Sequence, residues 1–238
     1  LRALYCTDNQ LTSLDVSNNT ALAEIKCNGN QLTTLDVNKN VNLSYLNCYE
    51  NQIEVLDVSK NVALEALWCY NNKLTTLDLS NNTALKDLNC HGNQLTSLNL
   101  NENINLEVIN SFNNIYKIEL TDGKFDLSTL PTGFDITKAS EWTNGTVKDN
   151  ILTVEDISKE VTYKYDCGHE TIEIFTLIPT NESVTPPTQE IKVTLKGDAN
   201  CDGKVSIADA TAILQSIGNP DKYGLSAVSY THLTLPTK

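Results

Sequence analysis

Apolar positions in the first half of the chain recur with a period far longer than a helix or strand allows. From Leu1 to about Leu120 the pattern L-x-x-L-x-C-x-x-N-x-L-x-x-L-x-V returns every 21 residues. The cysteine falls at Cys6, Cys27, Cys48, Cys69 and Cys90, and Ser111 takes its place in the sixth unit. An asparagine follows at Asn9, Asn30, Asn51, Asn72 and Asn93. A period of this size predicts stacked coils, none of which can bury its apolar face alone. Within one coil, Leu22, Ile25 and Cys27 face inward around a short strand at 25–27. Alternation turns Glu24, Lys26 and Asn28 outward. Leu32, Leu35 and Val37 return along the other side and close the core. The sixth unit is atypical, with Asn113 read as the asparagine arriving one residue early, as expected where stacked coils end.

The pattern resembles the leucine-rich repeat family over about half the chain. The resemblance implies a curved solenoid of parallel β with 21-residue repeats, and an internal ladder of the repeated asparagines. Residues 121–178 lose the period. There 151–157, 160–167 and 170–178 are β-branched and aromatic strand candidates, with Gly168 and His169 as a turn. They predict a small β-rich capping module with Phe125, Phe134, Ile136 and Trp142 in its core. Residues 179–189 are polar and proline-rich, a linker. The chain has no methionine and opens at Leu1 inside a unit, which predicts a fragment whose first cap lies outside it.

After the linker, residues 198–209 (D-A-N-C-D-G-K-V-S-I-A-D) have the spacing of a twelve-residue calcium loop. Asp198, Asn200, Asp202, Ser206 and Asp209 supply oxygen ligands, Lys204 offers its backbone carbonyl, and Gly203 allows the sharp turn. Ca2+ is the predicted cofactor, held by an EF-hand-like loop and the helix after it. This stretch resembles the first half of a type I dockerin, spanning 190–228. Such a module plugs extracellular proteins of plant-degrading anaerobic bacteria into a cohesin on a cellulosome scaffold. The resemblance implies partner contacts at Ile207, Ala208, Leu214 and Gln215. Only the first calcium loop is present, so the dockerin is truncated. Residues 229–238 read as a non-native tail resembling translated adapter sequence.

The charge balance changes the list of partners. Asp plus Glu number 30 against 17 Lys plus Arg, a formal net charge of −13, which argues against nucleic acid. No apolar run is long enough for a membrane span. Five of the seven cysteines share one repeat position. Their side chains point the same way from neighbouring strands, which suits buried free thiols better than disulfides.

Outward positions gather Tyr45, Tyr49, Trp68, Tyr70, His91 and Phe112 on one exposed sheet, a candidate ligand face. Such a cluster suits a protein or sugar rings, or carries no ligand. Asp15, Asp36, Asp57 and Asp78 recur once per coil and read as turn or solvated-edge residues. The three histidines are scattered, and no constellation of a triad or a hydrolase carboxylate pair is legible. These observations predict a secreted, non-catalytic binding protein of a bacterial cell-surface complex. It would recognise a protein or polysaccharide through its repeats and attach through the dockerin. The alternative is the accessory C-terminal region of a secreted polysaccharide-degrading enzyme, a glycoside hydrolase.

Overall fold

The structure is a computed structural model that describes residues 1–181. Six strands of three residues each, β1 (Ala3–Tyr5), β2 (Glu24–Lys26), β3 (Tyr45–Asn47), β4 (Ala66–Trp68), β5 (Asp87–Asn89) and β6 (Val108–Asn110), form one parallel sheet in chain order. The register advances by one whole repeat at every step, as in Leu4↔Ile25 and Ile25↔Leu46. The repeats therefore build a curved parallel β-solenoid. Leu22, Ile25, Cys27, Leu32 and Val37 are fully buried in one coil, and the matching positions are buried in the next three. The thiols are free, and burial pushes that of Cys27 up to about 12. They pack as small apolar groups rather than as nucleophiles.

Two asparagine columns satisfy the backbone where the strands end. Asn72 Nδ2 donates to the carbonyls of Cys48 (3.0 Å) and Cys69 (3.1 Å), and its Oδ1 accepts from the Ile53 N–H at 2.9 Å. Asn30, Asn51 and Asn93 repeat this pattern. In the sixth coil the residue that keeps the column is Asn114, which donates to Ser111 and Cys90 and accepts from Leu95 N–H. The expected early arrival at Asn113 is thus corrected: the asparagine stays in register, and the lost residue lies after it, bringing Ile118 and Leu120 inward. The second column, Asn40, Asn61, Asn82 and Asn103, lies at the opposite turn. Asn82 Nδ2, for example, donates to the carbonyls of Val58 (3.0 Å) and Asn61 (2.9 Å).

The residue just before the first column is left-handed in every coil: Asp8 (φ 53), Gly29 (φ 65), Glu50 (φ 51), Asn71 (φ 52), Gly92 (φ 63) and Asn113 (φ 56). Glycine tolerates this conformation, and a residue with a Cβ is strained there by about 1–2 kcal/mol. Glu50→Gly is expected to raise the urea midpoint, the relief exceeding the extra unfolded-state entropy of about 0.5–1 kcal/mol. A lowered midpoint would contradict this account of the turn.

Beyond the sixth coil come β7 (Ile115–Leu120), β8 (Lys124–Asp126), β9 (Ala139–Ser140), β10 (Gly145–Lys148), β11 (Ile151–Val154), β12 (Val161–Gly168) and β13 (Thr171–Asn181), with single 3-10 turns at Leu127–Thr129 and Ile136–Lys138. No α-helix occurs among the described residues. Strands β10, β11 and β8 make a small antiparallel sheet, and a four-stranded sheet runs β7-β13-β12-β9. Its β7–β13 pair is parallel, Ile115 opposite Thr176 through Leu120 opposite Asn181. The hairpin between β12 and β13 turns at His169 (φ 50) and Glu170 (φ 60), one residue later than expected, and two successive positive φ values suit the twist of the flanking strands.

This end is built into the solenoid rather than hung from it. The Tyr163 hydroxyl donates to the Thr96 carbonyl, and Leu100 N–H donates to the Cys167 carbonyl at 2.8 Å. Tyr163, Tyr165 and Phe175 are buried in the same apolar core as the coils. Trp142 stacks on Tyr163 with ring centroids 4.4 Å apart.

Exposed turns here are stapled by aspartates. Hydrogen bonds from the Ser158 side chain, then Lys159 and the Ser158 backbone, draw the Asp156 carboxyl down from 3.8 to about 2. A depressed carboxyl stabilises the fold above its unfolded value, and that contribution disappears as pH falls through the folded one. Asp156→Asn is therefore expected to lower the melting temperature at about pH 5, with the difference from wild type vanishing towards about pH 2. A difference that stays constant with pH would contradict the assignment.

Candidate functional site

The outward surface of the six-stranded sheet carries three columns of side chains. The first runs Ala3, Glu24, Tyr45, Ala66, Asp87, Val108, at the strand starts. The second, two residues on, runs Tyr5, Lys26, Asn47, Trp68, Asn89, Asn110. The third, beyond the strand ends, runs Thr7, Asn28, Tyr49, Tyr70, His91, Phe112. Equivalent residues of in-register parallel strands point the same way at a spacing of roughly 4.8 Å, so each column behaves as a ladder.

In the third column the ladder becomes a stack of rings. Tyr49 lies on Tyr70 at 4.2 Å and 11°, Tyr70 on His91 at 4.5 Å and 12°, and His91 on Phe112 at 4.6 Å and 9°. The His91 Nδ1 sits 2.6 Å from Asn89 Oδ1, and burial lowers the pKa of that ring. Burial, then the hydrogen bond with Tyr49, pushes the Tyr70 hydroxyl up to about 12. Asn28, expected to face outward, is buried beside the stack and accepts from the Thr7 hydroxyl.

The first and second columns make a different surface. Tyr45 and Trp68 meet edge to face, 5.6 Å apart at 64°. The Trp68 indole N–H donates to Asp87 Oδ2 at 3.0 Å. Lys26 is paired with Glu24 at 2.9 Å and lies over the rings of Tyr5 (4.8 Å) and Tyr45 (5.3 Å). The Tyr5 hydroxyl donates to the same Glu24 carboxylate. Asn47, beside Trp68 in the register, is 5% exposed, and its Oδ1 is buried with no hydrogen-bond partner.

All six residues of the expected ligand face are thus brought to one sheet. Their exposure differs from the expectation: Phe112 is half exposed, and the other five are partly buried by their neighbours. The aspartates Asp15, Asp36, Asp57 and Asp78 each accept from the backbone N–H two residues on, closing a turn at 2.9 Å. The second asparagine column was missed by sequence reasoning, and a scan of every polar position at the repeat period would have found it; the column Tyr49, Tyr70, His91, Phe112 was found, but not the flat stacking of its rings.

No family model matches the chain. A xylanase/beta-glucanase from Ruminococcus flavefaciens is 43% identical over 63 residues, which is 23% of this chain and 8% of that enzyme. The match therefore spans only a small part of the enzyme's length. Among solved structures, the functional domain of InlJ from Listeria monocytogenes, which includes a cysteine ladder, is 19% identical with a TM-score of 0.36, covering 76% of this chain and 62% of that one. The internalin InlF of the same species is 24% identical (TM-score 0.43, covering 45% and 34%). The leucine-rich repeat protein LIC12759 of Leptospira interrogans is 29% identical (TM-score 0.44, covering 47% and 32%). The fold is a parallel β-solenoid weakly resembling these bacterial repeat proteins.

The sequence relative corrects the functional expectations. A non-catalytic binder attached to a cohesin, and a chain that is not an enzyme, give way to a partial relation with a xylanase/beta-glucanase. The dockerin, calcium-binding, EF-hand-like and cellulosome readings gain no support. No group of three or more metal-ligating side chains occurs among the described residues. The residues behind those readings, Asp198, Asn200, Asp202, Lys204, Ser206 and Asp209 with Ile207, Ala208, Leu214 and Gln215, lie outside the described residues. Among the described residues no helix is long and apolar enough to cross a membrane.

Proposed function

We propose that this chain is a region of a secreted polysaccharide-degrading enzyme acting on plant β-glycans, with its repeats serving contact with the polysaccharide. The observation that carries the reading is the 43% identity over 63 residues to a xylanase/beta-glucanase. The acidic chain, with a net charge of −13, suits a neutral polymer better than an anionic one. The outward sheet adds aromatic and amide side chains side by side, the kinds of group that recognise sugar rings and their hydroxyls.

The test is hydrolysis. The 238-residue chain and the protein encoded at its genomic locus are incubated with xylan, mixed-linkage β-glucan and starch, and new reducing ends are measured. Release from xylan or β-glucan and not from starch is expected of the locus protein. Failure of that protein to cleave either β-glycan would overturn the reading.

A further inference from the structure

We infer that the outward sheet divides into a structural spine and a glycan-binding band, and that the band, centred on Tyr45, Trp68 and Asp87, takes a β-1,4-linked neutral glycan laid across the coils. The inference rests on the proposed function and assigns the substrate contact to particular side chains.

The spine is the stack Tyr49–Tyr70–His91–Phe112. Its interplanar angles of 9–12° turn each ring face onto the next ring. Tyr70 and His91 have a ring on both sides, so only their edges meet solvent. Sugars pack their C–H faces on the flat of an aromatic ring, and these flats are taken. The stack holds coils together and offers a sugar little beyond the outer face of Phe112.

The band has the opposite geometry. The 64° angle between Tyr45 and Trp68 leaves ring surface that neither covers for the other, with Lys26 over one face of Tyr45. The Asp87 carboxylate fixes the indole through Nε1 and keeps its second oxygen for a hydroxyl. Lys26 is already held by Glu24 and two tyrosine rings, so it does not recruit an anionic ligand. Aromatic flats beside a planar acceptor, with the cation neutralised, describe a site for a neutral, hydroxyl-rich chain.

The repeat sets which chain fits. Successive coils are separated by roughly 4.8 Å. Each sugar of an extended β-1,4-linked backbone advances by close to that distance, so the backbone keeps step with the coils although each sugar is turned relative to the one before it. An α-linked glucan coils and loses this register.

The experiment uses the full chain carrying Trp142→Phe, which leaves Trp68 as the only tryptophan of the two in the sequence. Cellohexaose, xylohexaose and maltohexaose are titrated while Trp68 fluorescence is followed, with calorimetry in parallel. Saturable change with cellohexaose or xylohexaose, and none with maltohexaose, is expected. In the chain that keeps Trp142, Trp68→Ala should weaken calorimetric binding by roughly three- to tenfold, the worth of one aromatic contact. Tyr70→Leu should lower the melting temperature yet leave affinity within about twofold. Melting of each variant separates misfolding from loss of the site, and Asp87→Asn, which retains an acceptor for the indole, gives a second reading in a folded chain and should also weaken binding. Unchanged affinity in both Trp68→Ala and Asp87→Asn, equal binding of maltohexaose, or absence of any response at Trp68 would overturn the inference. If the locus protein still cleaves β-glycan in that event, the proposed function stands and only the band assignment fails.

Discussion

Asn72→Ala is expected to destabilise the solenoid by about 3–5 kcal/mol. Its side chain makes hydrogen bonds that no strand partner can replace, donating to Cys48 and Cys69 and accepting from Ile53. The residue is 8% exposed, so water does not readily replace the lost groups. A buried backbone group left unpaired costs about 1–3 kcal/mol, and this substitution orphans more than one. Asn81→Ala, at an exposed asparagine, is the control and should change stability by no more than about 0.5 kcal/mol. Equilibrium urea unfolding followed by circular dichroism reads both. Equal effects at the two positions would show that asparagine is frequent in these coils for reasons other than the ladder.

Phe175→Ala is expected to cost about 3–5 kcal/mol and to lower the transition of the whole 1–181 unit, not of its last third alone. Phe175 is fully buried and packs with Tyr163 and Tyr165 at centroid distances of 6.0 Å and 5.9 Å. Tyr163 is in turn bonded to Thr96 in the fifth coil, and the strand carrying Phe175 pairs with β7. A cavity at this point therefore loosens the seam through which the last coil is covered. Differential scanning calorimetry should show one transition for these residues, shifted downward. A variant in which the coils melt at the wild-type temperature while the C-terminal strands melt early would contradict the continuous core.

The repeat region was legible because one physical constraint is restated in every coil. The apolar side chain buried at Ile25 is matched by buried leucines at Leu46, Leu67 and Leu88, so register and inward face could be read directly. Asn114 was misplaced although the 21-residue spacing from Asn93, and the three-residue offset from Ser111, both point to it; the adjacent Asn113 was taken in its place. The column Asp8, Gly29, Glu50, Asn71, Gly92 agrees, since the left-handed position always precedes the ladder residue. The second asparagine column was hidden among turn-forming neighbours such as Asn18 and Asn81, which are exposed.

Beyond the sixth coil, β11, β12 and β13 were recognisable from β-branched and aromatic runs, whereas β8, β9 and β10, the run of β13 to Asn181 into the expected linker 179–189, and the pairings were not. The parallel match of Ile115–Leu120 with Thr176–Asn181 joins segments far apart in sequence, and no local pattern encodes it. For the face, alternation placed Tyr49, Tyr70, His91 and Phe112 on one side. It could not show that their rings lie flat on one another, which separates them from Trp68 and Tyr45. Function was misjudged because aromatic side chains on the outward sheet were read as a ligand face, while the relation to a xylanase/beta-glucanase is carried by a stretch of only 63 residues.

The most direct measurement compares the full-length protein of this locus with a version lacking residues 1–181, on insoluble xylan and on soluble xylo-oligosaccharides. The account predicts that both forms cleave the soluble substrate alike and that removal of the repeats sharply reduces sugar release from the insoluble polymer. Undiminished release from insoluble xylan without residues 1–181, or no cleavage of β-glycan by either form, would contradict it.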